Sequence, residues 1–129
     1  MDFESIIYIL VGSTFGLTLR LFIKYNCKTK IIFYFKNSLI VNVLSSLFLG
    51  IFVAYSPTNK NLLLFFSVGF LGCFSTYSSF IYQLFSLIQK RKYLSLIIYY
   101  IDVLVLSFLF FCLGYFITLM FKNWIKKIL

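Results

Sequence analysis

At 129 residues the chain has room for one domain, and 62% of it is hydrophobic, 22% aromatic and only 12% charged. That balance excludes an ordinary soluble domain. The net charge of +9 does not read as a nucleic-acid surface, because the twelve basic residues sit in the connections and near the C-terminus, with no polar domain to present them.

Four charge-free runs, residues 5–19, 37–59, 61–89 and 103–121, are each long enough, or extendable enough, to cross about 30 Å of hydrocarbon at about 1.5 Å per residue. The expected architecture is an all-α integral membrane protein with four transmembrane helices, one domain over 1–129, in the plasma membrane.

The first run opens with Asp2 and Glu4 where a signal peptide would carry basic residues, and no cleavage pattern follows, so it is expected to stay in the mature chain. It predicts a helix over about 5–23. Gly12 and Gly16 stand at i, i+4 on it and permit close approach of a neighbouring helix. Arg20 near its end is either a snorkelling anchor or an electrostatic attractor at a vestibule mouth.

A basic connection over 24–30 leads into a second helix over 31–55, which Pro57, Thr58 and Asn59 stop. Ser38, Asn42 and Ser46 fall at i, i+4 and i+8, one polar stripe that faces protein or water and not lipid. Interhelical hydrogen bonding, worth about 1 kcal/mol per contact, and ligand contact both account for it.

The third run would reach roughly 43 Å if helical throughout, more than a bilayer needs. Its middle, Gly69 to Phe80, is rich in glycine and hydroxyl side chains. Backbone that leaves the helix at membrane depth is tolerated only when buried in protein or lining a wet cavity, so this stretch predicts a break and a permeation or binding site. Gly69 and Gly72 are where the backbone is expected to open. Tyr77 and Phe80, at i, i+3, are either a packing pair or ring edges able to hold a small anion.

The fourth helix is expected over 94–121, followed by a basic tail with an interfacial Trp124. Asp102, near its start, is either a headgroup-level carboxylate or a proton carrier. Asp2, Glu4 and Asp102 are the only acids and there is no histidine, which argues against an enzyme. Cys27, Cys73 and Cys112 are too scattered to suggest a zinc site or a disulfide.

Four spans put both termini on one side of the membrane. Arg20, Lys24, Lys28, Lys30, Lys36, Lys90, Arg91 and Lys92 then face one side, and Lys60, Lys122, Lys126 and Lys127 the other. Eight against four predicts cytoplasmic first and third loops and outward termini. So little polar surface cannot enclose a hydrated path in one chain, which predicts an obligate dimer.

Three motifs in order resemble the Fluc/CrcB family of fluoride channels: Gly12, Gly16 and Arg20; Ser38, Asn42, Ser46 and Gly50; and the run Gly69 to Phe80, which is similar to that family's Gly-Phe-x-Gly-Gly-x-Thr-Thr-Phe-Ser-Thr-Phe. The resemblance runs through the whole chain. It implies an antiparallel dual-topology dimer with two fluoride paths, and a structural, non-transported sodium ion held by backbone carbonyls of Gly72 and Ser75. It further implies that Asn42, Tyr77, Phe80, Ser38 and Ser107 line the fluoride path, with Arg20 at the vestibule. Tyr77, Cys73 and Gln83 stand where the family usually has phenylalanine, glycine and glutamate. The unequal loop charge leaves open a homodimer or a heterodimer with a second, oppositely inserted homologue. The rival readings are a small multidrug-type proton-coupled transporter, which would depend on Asp102, and a non-transporting membrane scaffold.

Overall fold

The computed structural model describes residues 2–26 and 32–129, with the side chains of 32–37 excepted. Cys27, Lys28 and Lys30 lie outside the described residues, as does the side chain of Lys36. All regular structure among the described residues is helical: α1 (Phe3–Asn26), α2 (Ile32–Tyr55), α3 (Lys60–Leu63), a π-helical segment (Leu64–Leu71), α4 (Gly72–Phe74), α5 (Tyr77–Gln89) and α6 (Tyr93–Ile128). Four stretches are long and apolar enough to cross a membrane: Phe3–Asn26, Ser38–Tyr55, Lys60–Gln89 and Tyr93–Ile128.

Two helix pairs make up the body of the chain. α1 lies along the π-helical segment and α4, and α2 lies along α6. Lipid tails are as apolar as leucine, so helices in a bilayer gain from close backbone packing more than from hiding apolar surface. Glycine supplies that closeness in both pairs. A Cβ on Gly12 or Gly16 would overlap the Phe65 or Phe70 carbonyl, and one on Gly50 or Gly114 would overlap the Phe111 or Leu47 carbonyl. Both pairs run parallel, since contacts advance together along each: Gly12 meets Phe65 and Gly16 meets Phe70, while Gly50 meets Phe111 and the Lys122 ammonium reaches the Ala54 carbonyl.

Phenylalanines join the pairs. Phe66, Phe70 and Phe74 recur every four residues, and Phe48 and Phe52 of α2 pack on them; the Phe48–Phe70 and Phe48–Phe74 rings meet edge to face at 6.3 and 6.4 Å. Phe74 is fully buried there, while most other large apolar side chains face outward, as a lipid-embedded surface requires.

The third span is not one helix. Ser75 (φ −72°, ψ 152°) and Thr76 (φ −137°, ψ 95°) are extended, between the end of α4 and the start of α5. The expected opening at Gly69 and Gly72 is thereby corrected: Gly69 stays inside the π-helical segment and Gly72 keeps φ −62°, ψ −35°. Gly69 serves packing instead, with its α-carbon face against Ile9, Gly12 and Ser13 of α1. The extended pair falls near the middle of the span, with roughly 20 Å of helix on either side.

The fourth helix also differs from expectation. It continues seven residues beyond Phe121, to Ile128, because nothing in Lys122–Ile128 breaks a helix: there is no proline or glycine. At its other end a tight turn joins it to α5. Arg91 takes a left-handed φ of 53°, its N–H donates to the Ile88 carbonyl and the Lys92 N–H donates to the Leu87 carbonyl, a Schellman termination.

The glycine contacts predict that Gly114→Val, which forces a branched side chain against the Leu47 carbonyl, destabilises the α2–α6 pair by about 1–3 kcal/mol. A lowered thermal unfolding midpoint of the purified protein in detergent is the expected result.

Candidate functional site

Leaving the helix at Ser75 and Thr76 would strand backbone groups in a low-dielectric interior, where each unpaired group costs several kcal/mol. The amide of Asn42 resolves part of this. The Thr76 N–H donates to Asn42 Oδ1 at 2.9 Å, and Asn42 Nδ2 donates to the Thr76 carbonyl at 3.4 Å. Asn42 is held in turn by its place on α2, where the Ser45 and Ser46 hydroxyls both donate to its backbone carbonyl at 2.8 and 3.0 Å. The polar stripe of the second span is thus directed at the non-helical residues of the third.

That pairing has a consequence one turn upstream. In a continuous helix the Gly72 carbonyl would accept from the N–H of Thr76. Here that N–H goes to Asn42, and the Ser75 N–H goes to the Leu71 carbonyl at 3.0 Å. Among the described residues neither the Gly72 nor the Ser75 carbonyl receives a backbone hydrogen bond. Gly72 is exposed, and a Cβ added to it would meet nothing within 4 Å.

Two recesses adjoin Thr76. The larger is lined by Asn42, Ser46, Ser75, Thr76, Tyr77, Phe80 and Ser107, with Ser45, Leu49, Leu71, Val103 and Leu104 completing it. The smaller is lined by Arg20, Lys24, Ser38, Val41, Thr76, Ser79 and Gln83. Of the residues that the sequence singled out, the fold therefore brings Asn42, Ser75, Tyr77, Phe80 and Ser107 together in one groove. Arg20 and Ser38 share the neighbouring recess. Gly72 lines neither and lies on the open surface, and Asp102 is exposed and lines neither recess.

Within the larger groove Phe80 is buried and Tyr77 is 77% exposed, their rings 6.3 Å apart. Phe80 is held from the other side by Tyr99 and Tyr100 of α6, at 5.9 and 6.1 Å. In the smaller recess Arg20 Nη2 donates to the Ser79 hydroxyl at 3.3 Å. The Ser38 hydroxyl there is buried, beside that of Tyr99, with no hydrogen bond of ordinary geometry among the described residues. The chemistry on offer is a guanidinium, hydroxyl and amide donors and the positive edges of aromatic rings, a set suited to a small anion. The described residues contain no cluster of three or more His, Cys, Asp or Glu able to hold a metal ion.

Three participants were given no role by the sequence reading, although Gln83 was noted there as a departure from the family pattern. Thr76 is 5% exposed and is the partner of Asn42; Gln83 is 1% exposed and accepts a hydrogen bond from the Tyr99 hydroxyl; and Tyr99 ties α6 to α5. Gln83 had a signal, since it is an amide one turn after Phe80 in an apolar run. Tyr99 had none, being one of ten tyrosines.

Fold and site together define a small multi-pass membrane protein whose third span carries extended residues held by a side chain of the second. Residues 7–115 match the family described as CrcB-like protein, Camphor Resistance (CrcB). The chain is 69% identical over 123 residues to Fluoride-specific ion channel FluC 2 of Prochlorococcus marinus subsp. pastoris, covering 95% of this chain and 100% of that one. It is 53% identical over 122 residues to Fluoride-specific ion channel FluC 2 of Prochlorococcus marinus strain MIT 9312, with 95% and 100% covered. To Fluoride-specific ion channel FluC 1 of the same subsp. pastoris it is 30% identical over 89 residues, 69% of this chain and 81% of that one. This chain belongs to the CrcB family and is a multi-pass protein of the plasma membrane.

The Asn42–Thr76 pair predicts that Asn42→Ala, which leaves the buried Thr76 N–H without an acceptor, lowers stability by about 1–3 kcal/mol. Asn42→Asp keeps the acceptor and is expected to lose less. Thermal unfolding of the two variants in detergent separates them.

Proposed function

We propose that this chain is a subunit of a fluoride channel that lets fluoride leave the cytoplasm passively, and that it has no enzymatic role. The observation that carries the proposal is the Asn42–Thr76 pairing, which opens the third span beside a groove of amide, hydroxyl and ring-edge groups. The names of the relatives support it. Fluoride would pass along Asn42, Tyr77, Phe80 and Ser107, with Ser38 extending the path and Arg20 drawing anions to its mouth. Ring edges and neutral donors offset fluoride's lost hydration without the full charge that would trap the ion. An inside-negative potential supplies about 2.3 kcal/mol per 100 mV for expulsion, so no coupled energy source is required.

In this reading the extended pair in the third span is the functional break, and the chain acts as an antiparallel dimer. The exposure of Gly72 and Tyr77, both at the break, fits burial against a second subunit. That subunit is either a second copy or a different homologue; the unequal loop charge, eight basic residues against four, supports a mixed pair. The Gly72 and Ser75 carbonyls, with no backbone partner, fit a hard cation, and two from each subunit would give a structural sodium ion four oxygens. A bound sodium would neutralise the concentrated carbonyl dipoles and join the two subunits.

Fluoride efflux from liposomes, followed with a fluoride electrode with sodium inside and out, tests the reading. We expect efflux selective over chloride, and a loss of about tenfold or more in Phe80→Ala, equivalent to removing about 1.4 kcal/mol of ring contact. If this chain alone is silent, co-reconstitution with a FluC 1-type homologue should restore efflux. Silence of both preparations would overturn the proposal.

A further inference from the structure

The last turns of α6 take no part in either recess. Lys122 Nζ donates to the Ala54 carbonyl at 3.4 Å, in the final turn of α2, which sets Lys122 level with the end of the second span. α6 runs on to Ile128, about 9 Å further, against a headgroup layer of about 5–7 Å on each side of the hydrocarbon. Over this stretch Phe121, Trp124, Ile125 and Ile128 recur at i, i+3, i+4 and i+7, a stripe within roughly 100° of arc. All four are exposed, Trp124 by 60%, and the Phe121 and Trp124 rings lie 6.0 Å apart. Lys122, Lys126 and Lys127 occupy the remaining face, and the segment contains no acid.

We propose that residues 121–128 form a docking surface for the anionic headgroup layer of the bilayer that the chain itself spans. The apolar stripe seats at the acyl boundary and the three lysines reach lipid phosphates. Charge complementarity selects this occupant: the stripe begins at membrane level, and lysines next to an anionic leaflet each strengthen attraction about fivefold at moderate salt. Tryptophan and phenylalanine beside lysine stems are the side chains that partition to this boundary. The docking surface lies wholly on the last turns of α6 and is independent of what the groove conducts.

Trp124 is the only tryptophan of the chain, so its fluorescence reports on this segment directly. The full chain is reconstituted in vesicles of phosphatidylcholine alone or with phosphatidylglycerol, and Trp124 is quenched from water by acrylamide and from the membrane by brominated lipid. Phosphatidylglycerol is expected to reduce acrylamide quenching about threefold or more and to raise bromolipid quenching. The response is expected to be lost in a Lys122→Gln, Lys126→Gln, Lys127→Gln triple variant. It should also be largely lost in the Lys126→Gln, Lys127→Gln double variant, which leaves the Lys122–Ala54 contact intact. Equal quenching with and without phosphatidylglycerol overturns the proposal, as does a response that inorganic phosphate reproduces in phosphatidylcholine vesicles. A response that follows the protein-to-lipid ratio and not lipid charge also overturns it, since a second copy would then cover the stripe.

Discussion

Two hydrogen bonds between the Asn42 amide and the backbone of Thr76 are what the rest of the structure depends on. Water cannot reach into a bilayer to satisfy a backbone that leaves its helix, so a non-helical residue at mid-span must find its partners within the protein. An amide is suited to this because it carries a donor and an acceptor side by side, matching the N–H and carbonyl of one peptide residue. By occupying the Thr76 N–H, Asn42 also deprives the Gly72 carbonyl of its helical donor. One polar side chain thus both stabilises the interruption and leaves the Gly72 carbonyl, on the exposed surface, without a helical donor.

Such an arrangement needs a frame that does not yield, and glycine provides it. At Gly12, Gly16 and Gly69 the first and third spans touch backbone to backbone, and at Gly50 and Gly114 the second and fourth do the same. These contacts fix the first span against the third and the second against the fourth, so that Asn42 and Thr76 are each carried on a closely packed pair. The phenylalanine ladder Phe66, Phe70 and Phe74 against Phe48 and Phe52 adds a directional contact between the pairs. Closeness of backbones and ring geometry thus hold together what the hydrophobic effect holds in a soluble domain.

The recesses on either side of Thr76 differ in character. The smaller carries Arg20 and Lys24, two full positive charges near one end of the first span; the larger has no cationic side chain in its lining and offers only dipoles and ring edges. In the proposed reading, a charge at the mouth and dipoles within would attract an anion and then let it move on. The Gln83–Tyr99 hydrogen bond, with both tyrosine rings on Phe80, keeps the wall of the larger groove in register with the smaller recess.

The four spans, their order and the polar stripe Ser38, Asn42, Ser46 were legible in the sequence because each rests on local chemistry: hydropathy sets the length of a span, and helical periodicity sets which residues share a face. Gly12 and Gly16 were legible as a packing face for the same reason. The sequence could also mark the Gly69–Phe80 stretch as foreign to a lipid-facing helix. Where that stretch leaves the helix was decided only by tertiary structure. Local propensity points to glycine, yet Gly69 and Gly72 remain helical and Ser75 and Thr76 do not, because the competing hydrogen-bond acceptor comes from Asn42, thirty-four residues away. The parts played by Thr76, Gln83 and Tyr99 were hidden for that reason too: each depends on a partner on another helix, and a linear pattern carries no record of which neighbour will stand opposite.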